Sequence, residues 1–150
     1  LKESDEQRKT FLRAIDANTN RVSEGLRVAE EIVRFVLNDS KLTESLKSAR
    51  HFVREKALKL GGSPSDLVSF RESDADAGRP LSTTDSKERT GAAMIVAANM
   101  KRAQEGSRVL EELSASFDTE SSNKFKELRF QLYSLEKEIL LRLGSSGDEN

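Results

Sequence analysis

Asn18, Arg21, Glu24, Gly25 and Arg27 recur later in the chain as Asn99, Arg102, Glu105, Gly106 and Arg108. Arginine offers forked N–H donors that match phosphate oxygens, and an asparagine amide offers both a donor and an acceptor to a heterocycle. A nearby glutamate can hold a magnesium ion or a base amino group. On a helical wheel, Asn18 and Gly25 fall inside an apolar stripe, Arg21 lies on its edge, and Glu24 and Glu31 sit just beyond it. A helix-interior glycine costs about 1 kcal/mol relative to alanine, so two at matching positions imply close approach of another helix or a ligand. A plainer reading keeps the glycines for helix crossing, with Arg21 and Glu24, and Arg102 and Glu105, as ordinary i,i+3 ion pairs. The inward asparagines need partners in either case, between helices or on a ligand.

Further candidates lie outside the motif. His51, the single histidine, follows Arg50, and a lone histidine is more often solvated than catalytic. Arg71, Asp74, Asp76, Gly78 and Arg79 combine phosphate donors and metal-compatible carboxylates beside a flexible glycine, which suits a closing segment as well as a solvated loop. The sequence has no GxxxxGK[ST], GxGxxG or HExxH pattern, so any nucleotide site would use an uncommon architecture.

The elements that must carry these residues are helices. Ser4 opens a capping box, and Phe11, Ala14, Ile15, Val22, Leu26, Ala29, Val33 and Val36 predict a first helix to about Leu37. Leu42, Leu46, Ala49, Val53, Ala57 and Leu60 predict a second, which Gly61 and Gly62 end. A third is expected from near Ser86 through Ala92, Ile95, Val96, Ala103, Val109, Leu110 and Leu113, with Asp118 and Thr119 breaking it. The fourth spans about Ser122 to Leu143, with Gly144 at its end. Residues 17–31 align without gaps on 98–112, with nine of fifteen positions identical at an offset of 81. Lys47 and Arg50 echo Lys126 and Arg129 more weakly. The expected fold is therefore all-α: two duplicated antiparallel hairpins, 4–60 and 86–144, with approximate two-fold symmetry, joined by a loop at 61–85. Residues 145–150 read as a flexible tail or linker after a single domain at 1–144.

Composition bounds the rest. The 150 residues include no cysteine, which excludes disulfides and cysteine-based zinc sites and fits a reducing, cytoplasmic setting. With 25 basic against 26 acidic residues, the chain has no global basic field for nucleic acid or anionic lipid, and no apolar run suits a membrane span. Any anion site must be local.

With these residues in view, the chain resembles the small helical hydroxymethylpyrimidine phosphate kinase domain of thiamin biosynthesis, which occurs alone or fused ahead of thiamin-phosphate synthase. The resemblance covers most of the chain and rests on residues 16–31, on Arg50 and His51, on Arg71 with Asp74, Asp76 and Gly78, and on residues 98–112. It implies transfer of the ATP γ-phosphoryl group to hydroxymethylpyrimidine phosphate with magnesium present, and a fused or associated thiamin-phosphate synthase as partner. Such a transfer needs chiefly alignment and charge cancellation. Arg21 and Arg102, with Glu24 and Glu105, are then the expected catalytic set. Asn18, Asn99, Arg27, Arg108, Arg50, His51 and Arg71 are expected to bind substrate or phosphate, and Asp74 and Asp76 to hold magnesium. The sequence departs from the family where a Gly-Asp-Val-Gly type of loop is expected, reading Asp74-Ala-Asp-Ala-Gly-Arg79 instead. Two rival readings are a non-catalytic domain that docks on the synthase or organises its dimer, and a helical adaptor with a large exposed apolar patch. The stripes of the second and fourth helices could also hold a homodimer together.

Overall fold

A computed structural model describes residues 2–78 and 91–147. Its elements are α1 (Lys2–Ile32), a π-helical turn (Val33–Leu37), α2 (Ser40–Gly61), α3 (Pro64–Ser69), α4 (Ala92–Ser114) and α5 (Thr119–Gly147). Every described element is helical, so the chain belongs to the all-α class. No described helix is long and apolar enough to cross a membrane.

The boundaries follow local chemistry. Asn38 ends the first hairpin arm in the left-handed region at φ 51°, a conformation asparagine tolerates better than most residues. Asp39 then accepts the Leu42 N–H at 2.9 Å and starts α2. Ser63 caps α3 by accepting from Asp66 N at 3.1 Å, with Pro64 in the first turn. This short helix occupies part of the stretch read as loop, and its Leu67 is buried against Gly61. Asp118 accepts from the Glu120 and Ser121 backbone N–H groups, so α5 begins at Thr119, earlier than the apolar periodicity indicates. Helix α5 also continues through residue 147, across part of the segment read as a tail. The expected start of the third helix near Ser86 lies outside the described residues.

Helix α1 packs on α2 and α4, and α4 packs on α5, while α2 and α5 meet through Phe52 and Phe125 at a ring separation of 6.3 Å. Arg142 of α5 pairs with Asp39 at the α2 N-terminus. Ile15, Val22, Leu26, Leu46, Val53, Val96, Met100, Leu110, Phe125, Leu132 and Ile139 form the fully buried centre. Val36 and Val109, both expected on apolar stripes, face solvent.

The tightest packing lies between α1 and α4. A Cβ on Gly25 would lie 2.6 Å from the Asn99 carbonyl oxygen, and one on Gly106 would lie 2.7 Å from Val22 Cγ2 and 3.4 Å from the Asn18 carbonyl oxygen. Each repeat's glycine thus meets the other repeat's asparagine turn, and side chains there would hold the helices apart. Gly25→Ala should lower stability by about 1–3 kcal/mol, despite alanine's better helix propensity, because the obstructing atom is backbone. Gly106→Ala should cost less, because the Val22 side chain can give way. Urea-denaturation midpoints of the two variants measure the difference, and a stabilised Gly25→Ala would contradict this packing.

Candidate active site

Along its first half, α1 presents a turn-spaced row of Thr10, Arg13, Ala17 and Arg21 above the buried Asn18. The segment after α3 lies across this row and closes a cleft of about 460 Å³ between them. That volume is within the range of small-molecule sites. Two ion pairs fasten the segment. Arg71 donates to Asp16 through two nitrogens, at 2.6 and 2.9 Å, and Arg13 meets Glu72 at 3.2 Å. Asp16 is buried, and its hydrogen bonds hold the Arg71 guanidinium above its ordinary pKa, although burial acts in the opposite direction.

Asn18 is buried beneath the cleft and already engaged. Its amide donates to the Ala14 carbonyl at 2.8 Å and accepts from Arg21 Nη1 at 3.4 Å. Asn99 repeats the first contact, donating to the Ile95 carbonyl at 2.8 Å. Among the described residues Arg21 meets no carboxylate, in contrast to Arg13 and Arg71. Its exposed guanidinium is therefore, among the described arginines lining this cleft, the one whose charge no carboxylate offsets.

The structure brings Asn18, Arg21, Arg71 and Asp76 to this one cleft, and Asp74 stands in the same segment. It does not bring the other expected residues there. Arg27 and Arg50 converge on buried Glu30, at 3.2 and 3.0 Å, and Arg108 and Arg129 converge on buried Glu111, at 3.2 and 3.1 Å. Arg27 and Arg108 also reach Glu31 and Glu112, at 2.8 and 2.6 Å. Arg50 and Arg129 thereby fasten each hairpin's two helices, while Arg27 and Arg108 are occupied by carboxylates of their own helix. Arg102 pairs with Glu24 across the α1–α4 seam at 3.7 Å, with both side chains more than half exposed. Glu105 lines a separate cleft on α4 and α5, and His51 is exposed on α2.

Sequence reasoning gave no role to Arg13, Asp16, Glu72, Glu30 or Glu111. Asp16 had a signal: it adjoins the first repeat, whereas its counterpart before the second is Ala97. Likewise Thr10 and Arg13 correspond to Gly91 and Met94, so the second copy lacks the charged edge of the first.

A magnesium ion can be tested against these donors. Among the described residues no three histidine or acidic side chains gather as a metal cage. Magnesium carried by nucleotide phosphates needs only one or two carboxylates, since it keeps several waters. Asp76 lines the cleft and uses Oδ1 to accept the Gly78 N–H at 2.8 Å, leaving Oδ2 available. The donor set therefore fits a phosphate-borne ion and not a dedicated cage.

Comparison with known proteins places these features in context. The ThiD2 family model matches residues 13–138. Similar curated proteins include the thiamine-phosphate synthase of Rhodopirellula baltica, 35% identical over 135 residues, covering 90% of this chain and 36% of that protein. The thiamine-phosphate synthase of Thermosynechococcus vestitus is 36% identical over 129 residues, covering 86% of this chain and 35% of its own. That of Nostoc punctiforme is 34% identical over 128 residues, covering 85% of this chain and 35% of its own. The chain thus spans about a third of the length of these relatives. No solved structure matches it.

The two buried glutamates supply a test of the clamp assignment. Removing one partner of a buried ion pair strands the other, so Glu30→Ala and Glu111→Ala should each destabilise the fold by about 3 kcal/mol. Arg27→Ala should cost under about 1 kcal/mol, because half of that side chain is already in water. Chemical denaturation of the three variants checks the order, and a mild Glu30→Ala effect would contradict it.

Proposed function

The chain belongs to the ThiD2 family, and on that premise we propose that it acts in thiamin biosynthesis, phosphorylating hydroxymethylpyrimidine phosphate to the diphosphate with ATP at the cleft between α1 and residues 71–77. The observation that carries this reading is Arg21, a motif arginine with no carboxylate partner among the described residues, facing a cleft that two ion pairs hold in shape.

In the proposed reaction an oxygen of the substrate phosphate attacks the γ-phosphorus of ATP. The new P–O bond forms as the bond to the β-bridging oxygen breaks, and ADP leaves with that electron pair. The main obstacle is bringing two polyanions together, and it is met by fixed donors, not by covalent chemistry. Arg21 would donate to the phosphate oxygens, with Asn18 as a positioning residue that restrains the guanidinium from below. Arg71 and Arg13 would add positive potential at the edge while remaining anchored to Asp16 and Glu72. Asp76, with Asp74, would hold magnesium, which when bound neutralises charge on the ATP phosphates. Closure of segment 71–78 over the reactants would exclude water, which would otherwise accept the phosphoryl group.

The duplicated motif then serves one site and not two, because Gly91, Met94 and Ala97 stand where the first copy has Thr10, Arg13 and Asp16. Arg21→Ala should lower kcat/KM about a hundredfold or more, as loss of a transition-state donor does. Arg102→Ala should lower it less than about tenfold, since its partner Glu24 is solvent-exposed. A coupled assay of ADP release with hydroxymethylpyrimidine phosphate, free hydroxymethylpyrimidine and no acceptor measures both. No turnover with the phosphorylated acceptor in folded protein would remove the kinase reading and favour a docking domain. Equal losses in the two variants would instead place the site at the α1–α4 seam.

A further inference from the structure

A second cleft, of about 780 Å³, lies between α4 and α5 and shares no lining residue with the first. Ala97 and Ala98 form part of its floor, and Lys101, Glu105, Tyr133 and Glu136 surround it. The internal repeat shows how this face changed. Six of the fifteen aligned positions differ between the copies, at residues 100, 101, 103, 104, 107 and 110 of the second. Met100, Ala103, Ser107 and Leu110 are fully buried, so their differences answer to core packing. The other two, Lys101 and Gln104, both line the second cleft, where the first copy has Asn20 and Ser23.

The chemistry of the lining is specific. Among the described residues neither the exposed Lys101 nor Glu105 has an ion-pair partner. Gln104 is buried and donates to Glu136, which fixes that carboxylate at the wall. Tyr133 and Phe130 are 44% and 53% exposed, with ring centroids 6.1 Å apart. Arg129, anchored on Glu111, stacks over Phe130 at 5.0 Å. The result is an unpaired lysine, one carboxylate fixed by Gln104, a second unpaired carboxylate and the exposed Tyr133 ring around one opening, with Phe130 packed behind that ring. A cation suits a phosphate, carboxylates suit ring amino groups, and an exposed ring suits a flat heterocycle.

We propose that the α4–α5 cleft is a second binding site, for an amino-substituted aromatic heterocycle that carries a phosphate. Two sources share that chemistry, a purine nucleotide and an aminopyrimidine phosphate. The site does not depend on the kinase reading, because its lining and ligand contacts are separate from Arg21.

Tyr133 is the single tyrosine and the chain has no tryptophan, so protein labelled with 3-fluorotyrosine carries one fluorine reporter at this cleft. AMP and hydroxymethylpyrimidine phosphate are titrated separately into wild type, Arg21→Ala and Lys101→Asn, with thermal melts confirming folding. The resonance is expected to move saturably with at least one of the two in both wild type and Arg21→Ala, and Lys101→Asn should weaken that ligand about tenfold. Movement with AMP identifies a nucleotide as the source, and movement with the pyrimidine phosphate alone identifies the other. The proposal is overturned if neither ligand moves the resonance, if Arg21→Ala abolishes the movement, or if Lys101→Asn leaves the affinity unchanged.

Discussion

The close crossing of α1 and α4 at Gly25 and Gly106 is the constraint on which the rest of the structure depends. The Asn99 carbonyl sits where a side chain at Gly25 would be, and Val22 Cγ2 sits where one at Gly106 would be. The helices can approach this far only because both repeats give up a Cβ at the contact. The approach buries Val22, Leu26, Met100 and Ala103 together and fixes the rotation of α1 about its axis. That rotation turns Asn18 inward and leaves Arg21 at the rim of the cleft. A small change in crossing would therefore be felt at the candidate site as a displaced cation.

Charge pairing then determines which arginines remain available. Glu30 and Glu111 are buried carboxylates that each collect two arginines, one from the same helix and one from the hairpin partner. Buried ion pairs of this kind are poor stabilisers compared with apolar packing, but they penalise any arrangement that leaves one partner alone. They consequently fix the register between the two helices of each hairpin. Asp16 and Glu72 take Arg71 and Arg13 in a similar way, tying the α3 segment to α1. Arg21 is left with an amide as its partner, and a guanidinium in that state is suited to receive an external anion.

Much of the fold was legible because the apolar spacing is regular and the repeat is long. The four main helices, the Asn38 to Ser40 turn and the Gly61 stop follow from periodicity and capping chemistry. Helix α3 escaped because six residues are too few to show a period, although its Ser-Pro start is a recognisable cap. Val36 and Val109 fit their stripes by count, yet Val36 falls in a π-helical turn that rotates the following side chains away from an α-helical register. At the candidate cleft, Asn18, Arg21 and Arg71 were visible as residue types in a pattern. That Arg27, Arg50 and Arg108 are held by internal carboxylates was not, because sequence spacing does not reveal which of several charges a buried glutamate will take. Asp16 is a single residue outside the repeat, and its importance shows only when Arg71 arrives from 55 positions away.

The most direct test of the central claim is a crystal structure of the protein with hydroxymethylpyrimidine phosphate and a non-hydrolysable ATP analogue. The substrate phosphate is expected on the Arg21 guanidinium, within the cleft between α1 and residues 71–77, with the buried glutamate clamps unchanged. Phosphate density on Arg27, Arg50 or Arg108, with those side chains released from Glu30 or Glu111, would contradict that claim.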